Sequence, residues 1–132
     1  MKKLIAIAML VLASAINAQV SDHLLNAMIM QESAGNNHAI GDNGIGVGCL
    51  QIHPCVVDEV NAKFKTTYSY KDRLDRKLSK EICKKYLSIW ATKKRLGRTP
   101  TNEDYARIWN GGPNGWKKTA TKGYWNRLKV RL

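Results

Sequence analysis

The chain has 132 residues, of which 44% are hydrophobic, and its 22 Lys and Arg residues against 10 Asp and Glu residues give a formal net charge of +12. This length suffices for one domain with a modest core and excludes a large multidomain assembly. The basic excess predicts affinity for polyanions such as nucleic acid, acidic membrane surfaces or bacterial cell-wall polymers, among which charge alone does not select.

The beginning of the chain has the character of a secretory signal. Lys2 and Lys3 precede an uninterrupted apolar run over residues 4–13, and small residues follow. That run is too short to span a bilayer comfortably. Cleavage after Ala15 and cleavage after Ala18 both fit the small residues there, and no adjacent cysteine follows to carry a lipid anchor.

We therefore expect a signal peptide over residues 1–18 and one domain over residues 19–132. Without Lys2 and Lys3, 20 basic residues remain against 10 acidic ones, a formal charge of +10. We expect a secreted or periplasmic monomer that has no stable membrane anchor after cleavage. The chain carries no signature of a nucleic-acid-binding module, so we expect no nucleic-acid partner.

An amphipathic helix is predicted over residues 22–32, where apolar residues recur at helical spacing and Ser21 or Asp22 can serve as the N-cap. Glu32 lies four residues after Met28 and therefore shares the face that docks on a core. Burial raises the pKa of a carboxyl group, so Glu32 is a candidate general acid. The alternative is a boundary glutamate whose side chain reaches solvent.

A glycine-rich turn follows this helix and carries a second carboxylate. The segment 41–44 reads Gly-Asp-Asn-Gly, which predicts a tight hairpin turn with Asp42 at its tip. Two carboxylates across a cleft are the usual equipment for hydrolysing a glycosidic bond. A turn aspartate is also common for local reasons, because its side chain can bond its own backbone.

Three cysteines, Cys49, Cys55 and Cys83, lie beyond the signal segment. In an exported protein they predict one disulfide and one remaining thiol, and the spacing leaves every pairing open. The spacing fits no zinc pattern, and His53 between two of the cysteines is only a weak indication of metal binding. We therefore expect no metal site and no cofactor.

The rest of the chain predicts further helices. Apolar positions recur every three or four residues over residues 73–94, which indicates one long scaffold helix. Thr101 with an acidic residue three positions later, Asp104, predicts the start of the next helix. A glycine- and proline-rich segment ends it, and a last helix is expected from Thr119 or Thr121 toward the C-terminus.

Several motifs resemble a known superfamily. Residues 30–35, 41–44 and 48–52 read Met-Gln-Glu-Ser-Ala-Gly, Gly-Asp-Asn-Gly and Gly-Cys-Leu-Gln-Ile, and they resemble the core of lysozyme-superfamily cell-wall hydrolases. Residues 105–115, Tyr-Ala-Arg-Ile-Trp-Asn-Gly-Gly-Pro-Asn-Gly, followed by Gly-Tyr-Trp-Asn, are similar to invertebrate-type (destabilase) lysozymes. This resemblance implies an α+β fold, predominantly α, with a lysozyme-like arrangement and a small β-hairpin.

The resemblance also implies roles for individual residues. Glu32 matches the general acid and Asp42 the second catalytic carboxylate. Trp109 stands where the invertebrate-type pattern has histidine, and it is also readable as a core aromatic residue. The residues expected to bind the sugar chain are Ser33, Gln51, His53, Trp109, Asn110 and Gly111.

Three functions remain open at this point. The resemblance favours a lysozyme (muramidase) that hydrolyses the β-1,4 bond between N-acetylmuramic acid and N-acetylglucosamine in peptidoglycan glycan strands, with Glu32 as acid and Asp42 as second carboxylate. The Glu-Ser and Asn-Gly-Gly segments are also similar to lytic transglycosylases, which use one glutamate. The few cysteines depart from the disulfide-rich invertebrate-type pattern. A non-catalytic cationic cell-wall binder is the third possibility.

Overall fold

The computed structural model describes residues 20–132 and is mostly helical, with one small antiparallel sheet. The predicted signal peptide lies outside the described residues. The helices are α1 (Asp22–Ser33), α2 (Pro54–Phe64), α3 (Arg76–Trp90), α4 (Lys93–Leu96), α5 (Asn102–Gly111) and α6 (Lys122–Lys129). Strands β1 (Ile40–Gly41) and β2 (Gly46–Val47) pair with Ile40 opposite Val47 and Gly41 opposite Gly46.

Helix α1 forms as the sequence predicts. Ser21 is its N-cap, because the Ser21 hydroxyl accepts a hydrogen bond from the Leu24 backbone N–H at 3.1 Å. The helix ends where Ala34 adopts a left-handed conformation with φ of 51°. Its apolar face is fully buried, which makes α1 part of the central core.

The core surrounds α1 with side chains from every larger helix and from the segment that follows the hairpin. Its most deeply buried members are Leu24, Leu25, Met28, Ile29, Leu50, Ile52, Val57, Val60, Ile82, Leu87, Ile108 and Leu128. Helix α2 packs on α3, and α5 packs on α6. The hairpin lies on one side of this core, and α3 and α5 face it across a cleft.

The single helix predicted over residues 73–94 is wrong in its bounds. Residues 70–74 form a 3-10 turn, α3 begins after Asp75, and α3 ends at Trp90. The backbone is extended at Thr92, whose hydroxyl accepts a hydrogen bond from the Arg95 N–H at 3.2 Å. Thr92 thus caps a separate short helix, α4. A capping side chain stabilises a new helix start, and the apolar pattern continues across the break.

The helix starts near the C-terminus agree with the sequence. Thr101 caps α5 through a reciprocal capping box with Asp104, and α6 begins directly after Thr121. The buried Arg107 joins these two parts, because its guanidinium donates to Thr121 Oγ1 at 2.9 Å and to the Lys118 carbonyl at 2.8 Å. Helix α5 is therefore fastened to the segment that leads into α6.

The hairpin is held against the start of α3 by arginine. Arg73 Nη1 donates to the Ile52 carbonyl at 2.9 Å and to the Ile45 carbonyl at 3.3 Å. At Gly48, with φ of 87°, any added Cβ would collide with the Arg73 carbonyl oxygen. Glycine is therefore required at this crossing, because a side chain would separate the hairpin from the scaffold.

The expected disulfide is absent, because Cys49, Cys55 and Cys83 are all free thiols. Cys49 and Cys83 are buried in the core, whereas Cys55 is exposed on α2. Burial raises the pKa of the Cys83 thiol well above its usual range, so this thiol stays protonated. Within residues 20–132, no helix has the length and apolar character that crossing a membrane requires.

Candidate active site

Glu32 projects from the last turn of α1 into a cleft between the hairpin and helices α2, α3 and α5. The side chain is partly buried, and Tyr124 of α6 contacts it. The Tyr124 hydroxyl donates a hydrogen bond of 2.8 Å to Glu32 Oε2. Gln31 fixes the same part of α6, because its Nε2 donates to the Tyr124 carbonyl at 2.9 Å.

Burial dominates the electrostatics of this carboxyl group. It raises the pKa of Glu32 from 4.5 to about 7, although the Tyr124 hydrogen bond favours the charged form. The negative charge of Asp42 raises the Glu32 pKa further, whereas His53 lowers it. Glu32 is thus protonated in a large fraction of molecules near neutral pH, which is the state that a general acid needs.

Asp42 faces Glu32 from the hairpin. Residues 42–44 all have positive φ, and Asp42 itself has φ of 52°. Non-glycine residues in this conformation are uncommon and concentrate at functional sites. The Asp42 side chain is 63% exposed, and its Oδ2 lies 3.0 Å from His53 Nε2. The hairpin and the N-cap position of α2 thus present a solvated carboxylate and an imidazole together on one side of the cleft.

Gln51 lies between the hairpin strands and the core. It has a positive φ of 53°, and its Nε2 donates to the carbonyls of Gly48 at 3.0 Å and Ala39 at 3.2 Å. A Cβ at Gly46 would lie 2.9 Å from Gln51 Oε1 and 3.3 Å from Asp42 Oδ2. The absence of a side chain at Gly46 therefore leaves room for the Gln51 amide beside the Asp42 carboxylate.

Aromatic side chains form the opposite wall. Trp109 of α5 packs edge-on against Tyr86 of α3, with ring centroids 5.6 Å apart and planes at 81°. The indole Nε1 of Trp109 donates to the Leu50 carbonyl at 3.2 Å. Trp109 therefore has both of the positions that its sequence context allowed: it packs on the core as an aromatic residue, and it also lines the cleft.

The end of α5 continues this wall. Asn110 is exposed, and the Gly111 carbonyl accepts a hydrogen bond of 2.7 Å from Lys118 Nζ. Backbone and side-chain amides at the rim of a cleft can bind the hydroxyl and acetamido groups of a sugar. An added Cβ at Gly111 would collide with the Thr121 methyl group, so glycine permits the close approach of α5 to the next segment.

The cleft has a volume of about 470 Å³. It brings together seven of the eight residues that the sequence analysis assigned to the site: Glu32, Asp42, Gln51, His53, Trp109, Asn110 and Gly111. The cleft is also lined by six residues that no sequence pattern indicated as part of the site: Cys55, Val56, Glu59, Tyr86, Gly112 and Pro113. Among residues 20–132, no cluster of three or more His, Cys, Asp or Glu side chains could hold a metal ion.

Ser33 is the predicted site residue that does not line the cleft. Its hydroxyl lies within hydrogen-bond distance of two backbone carbonyls to which it can donate, at 2.9 Å from the Cys49 carbonyl and 3.1 Å from the Ile29 carbonyl. The first of these contacts joins the end of α1 to the segment after the hairpin. Ser33 therefore helps to hold the end of α1 against the segment that follows the hairpin.

Comparisons with known proteins agree with this architecture. The family model described as the transglycosylase SLT domain matches residues 9–125. The lysozyme in the crystal structure of Aeromonas hydrophila PliI in complex with Meretrix lusoria lysozyme aligns with a TM-score of 0.72 and 29% identity, covering 86% of this chain and 93% of that chain. No curated protein matches in a sequence comparison.

A second solved structure, the inhibitor-bound lysozyme from Meretrix lusoria, aligns with a TM-score of 0.73 and 29% identity over 86% of this chain and 92% of that chain. These matches confirm the predicted lysozyme-like fold, predominantly helical with a small hairpin, and the resemblance to invertebrate-type lysozymes.

Proposed function

Because the chain belongs to the transglycosylase SLT-domain family, within the lysozyme-like superfamily of peptidoglycan-degrading glycosidases, we propose that it is a lysozyme that hydrolyses peptidoglycan glycan strands. The bond cleaved is the β-1,4 link between N-acetylmuramic acid and N-acetylglucosamine. The observation that carries the proposal is the pairing in one cleft of a partly buried acid, Glu32, with a solvated carboxylate, Asp42.

Glu32 acts as the general acid. With its pKa raised to about 7, it holds a proton at neutral pH and transfers it to the glycosidic oxygen as the bond to the sugar carbon breaks. The ionised form that remains accepts the Tyr124 hydrogen bond. This bond stabilises the carboxylate once the proton has left, so the same contact assists the transfer.

Asp42 acts as the second carboxylate. Its side chain is more than half exposed, and its Oδ2 lies 3.0 Å from His53 Nε2 at the edge of the cleft. In the negative form it attacks or stabilises the oxocarbenium-like sugar carbon while Glu32 donates its proton. A water molecule then completes hydrolysis, and Glu32 recovers a proton from that water.

A lytic transglycosylase is the second candidate, and the match to the transglycosylase SLT domain favours it. In that reaction Glu32 serves as acid and then as base. The hydroxyl group on the muramic acid attacks its own anomeric carbon and closes an anhydro ring. No second carboxylate is needed, so Asp42 is the residue that separates the two candidates.

The test uses isolated peptidoglycan and purified protein in which single carboxylates are replaced by amides. We expect Glu32→Gln and Asp42→Asn each to lower the rate of glycan cleavage by at least roughly 100-fold. Asp22→Asn is the matched control, because Asp22 lies at the opposite end of α1 and is exposed. Cleavage that survives Asp42→Asn but not Glu32→Gln would favour the transglycosylase.

The same experiment addresses a non-catalytic binder. A binder would retain its association with peptidoglycan in the Glu32→Gln variant and would release no sugars in either form. We also propose that the protein acts outside the cytoplasm, because the expected signal over residues 1–18 would direct its export toward this substrate. Detection of a processed chain that begins near residue 19 in the exported fraction tests this location.

A further inference from the structure

His53 contacts Asp42 in the cleft, although the proposed reaction assigns no step to His53. His53 Nε2 lies 3.0 Å from Asp42 Oδ2, and both side chains line the cleft that contains Glu32. The proposed reaction uses Asp42 as a carboxylate, which only accepts hydrogen bonds, so in that reaction the imidazole nitrogen of this contact carries the proton. His53 therefore donates to one oxygen of Asp42 and leaves the other oxygen available to the cleft.

The backbone before and after His53 is held in place by the hairpin and by α2. Residues Val47 and Ile52 exchange two hydrogen bonds, of 3.2 and 3.0 Å, directly before His53. His53 then occupies the N-cap position of α2, with extended backbone. Because the hairpin and the start of α2 are joined here, the backbone that carries the imidazole has a fixed position relative to the loop that carries Asp42.

Stability does not account for the contact. The side chains of His53 and Asp42 are 42% and 63% exposed, and exposed charged pairs contribute little to folding. A glycan strand in the cleft would displace the water around them, which strengthens a hydrogen bond to a charged group. The contact therefore gains its main importance in the complex with substrate.

We propose that His53 is a positioning residue that orients the Asp42 carboxylate toward the sugar carbon opposite Glu32. This inference rests on the proposed function, because it assigns to Asp42 a direct part in the reaction. Asp42 needs such support because its neighbours Asn43 and Gly44 also have left-handed backbone, and the side chain extends from the loop into solvent. One oxygen bound by His53 fixes the direction of the other.

The test is a double-mutant cycle that measures kcat and KM on soluble glycan strands. His53→Ala should lower kcat roughly 10- to 100-fold, as expected for the loss of a hydrogen bond to a charged group, and leave KM within about twofold. His53→Gln should restore most of kcat, because the glutamine amide can donate from a similar position. Asp42→Asn is the second mutation, since asparagine tolerates the left-handed backbone at this position.

The combined His53→Ala and Asp42→Asn variant should be no slower than Asp42→Asn alone, because His53 acts through Asp42. Independent effects that multiply in the double variant, or a raised KM with unchanged kcat in His53→Ala, would overturn the positioning role. If His53→Ala kept the wild-type kcat while Asp42→Asn was inactive, the positioning role of His53 would be refuted and the proposed function would stand. Full activity of Asp42→Asn would refute the proposed function.

Discussion

Tyr124 donates a hydrogen bond of 2.8 Å to Glu32, a residue 92 positions earlier in the chain. Both groups are largely withdrawn from water, and the contact joins the last helix to the end of the first. Burial, the Glu32 charge and this hydrogen bond all raise the pKa of Tyr124 above its usual range. Tyr124 therefore remains a hydrogen-bond donor throughout the pH range in which Glu32 titrates.

Removal of this donor should change the pH range of activity. The hydrogen bond lowers the pKa of Glu32 by stabilising its ionised form, so Tyr124→Phe should raise that pKa further above about 7. In the profile of kcat/KM against pH, activity falls on the alkaline side as Glu32 loses its proton. This alkaline limb should move to higher pH by roughly 1 unit. Profiles of kcat/KM against pH measure the shift.

Tyr105→Phe is the control for this prediction, because Tyr105 is a buried tyrosine of α5 that does not line the cleft. Its alkaline limb should coincide with that of the unmodified protein. An alkaline limb that stays in place, or moves to lower pH, in Tyr124→Phe would show that the hydroxyl does not control the protonation of Glu32.

The raised pKa of Glu32 also predicts how folding stability depends on pH. Between the ordinary pKa of 4.5 and about 7, the unfolded chain releases a proton that the folded protein retains, so this group makes stability fall as pH rises. Above about pH 7 this contribution to the free energy of unfolding is fully lost. The loss is roughly 2 kcal/mol, because solvent screening of the partly exposed carboxyl group reduces it.

Glu32→Gln removes this dependence and retains an oxygen that accepts from Tyr124. The difference in unfolding free energy, variant minus unmodified protein, should therefore be larger at pH 8 than at pH 4.5 by roughly 2 kcal/mol. Denaturant unfolding at the two pH values measures it, and other titrating groups cancel in the difference. Equal differences at both pH values would contradict the assignment of a buried, titrating Glu32.

The glycine at position 46 is predicted to be necessary for catalysis. In Gly46→Ala the new Cβ would lie 2.9 Å from Gln51 Oε1 and 3.3 Å from Asp42 Oδ2, so both side chains must shift. We expect kcat/KM to fall at least roughly tenfold while the fold is retained, because small displacements of catalytic groups are costly.

Gly123→Ala provides the comparison. The nearest atom to its added Cβ is the end of the flexible Arg127 side chain, at 3.3 Å, and an exposed helix position favours alanine. Its activity should equal that of the unmodified protein. Equal activity of the two alanine variants would mean that Asp42 and Gln51 tolerate displacement and that their packing around Gly46 has no part in catalysis.

Ser33 is expected to stabilise the contact between the end of α1 and the segment that follows the hairpin. Ser33→Ala removes the hydroxyl that contacts the Cys49 carbonyl and should destabilise the protein by about 1–2 kcal/mol. Thermal unfolding measures this effect. Sugar binding measured with Ser33→Ala at a temperature well below unfolding should be nearly unchanged, because Ser33 lies outside the lining of the cleft. A large loss of binding with unchanged stability would contradict a structural role.

Local patterns in the sequence predicted the parts of the site that single elements carry. The periodicity of α1 placed Glu32 on the core-facing side, and that placement alone implied a partly desolvated carboxyl group. The resemblance supplied Asp42 and the residues at the end of α5. The capping pattern of Thr101 and Asp104 predicted the start of α5, because a cap is a local interaction that neighbouring residues reveal.

Contacts between distant elements were out of reach of such patterns. Nothing near Tyr124 indicates that its hydroxyl reaches Glu32, and the pairing of His53 with Asp42 depends on the path of the hairpin. Helix α2 was not predicted, although Pro54 at its first position is a typical helix-start residue. The break after α3 was also missed, because Thr92 interrupts the helix without interrupting the apolar periodicity.

The most direct test of the proposed hydrolysis is the chemistry of the new sugar ends. Purified protein would digest isolated peptidoglycan in water enriched in heavy oxygen, and mass spectrometry would identify the released fragments. We predict reducing N-acetylmuramic ends that contain one heavy oxygen atom and that are absent from a Glu32→Gln digest. Anhydro ends without the label, dependent on Glu32, would contradict hydrolysis and identify the protein as a lytic transglycosylase.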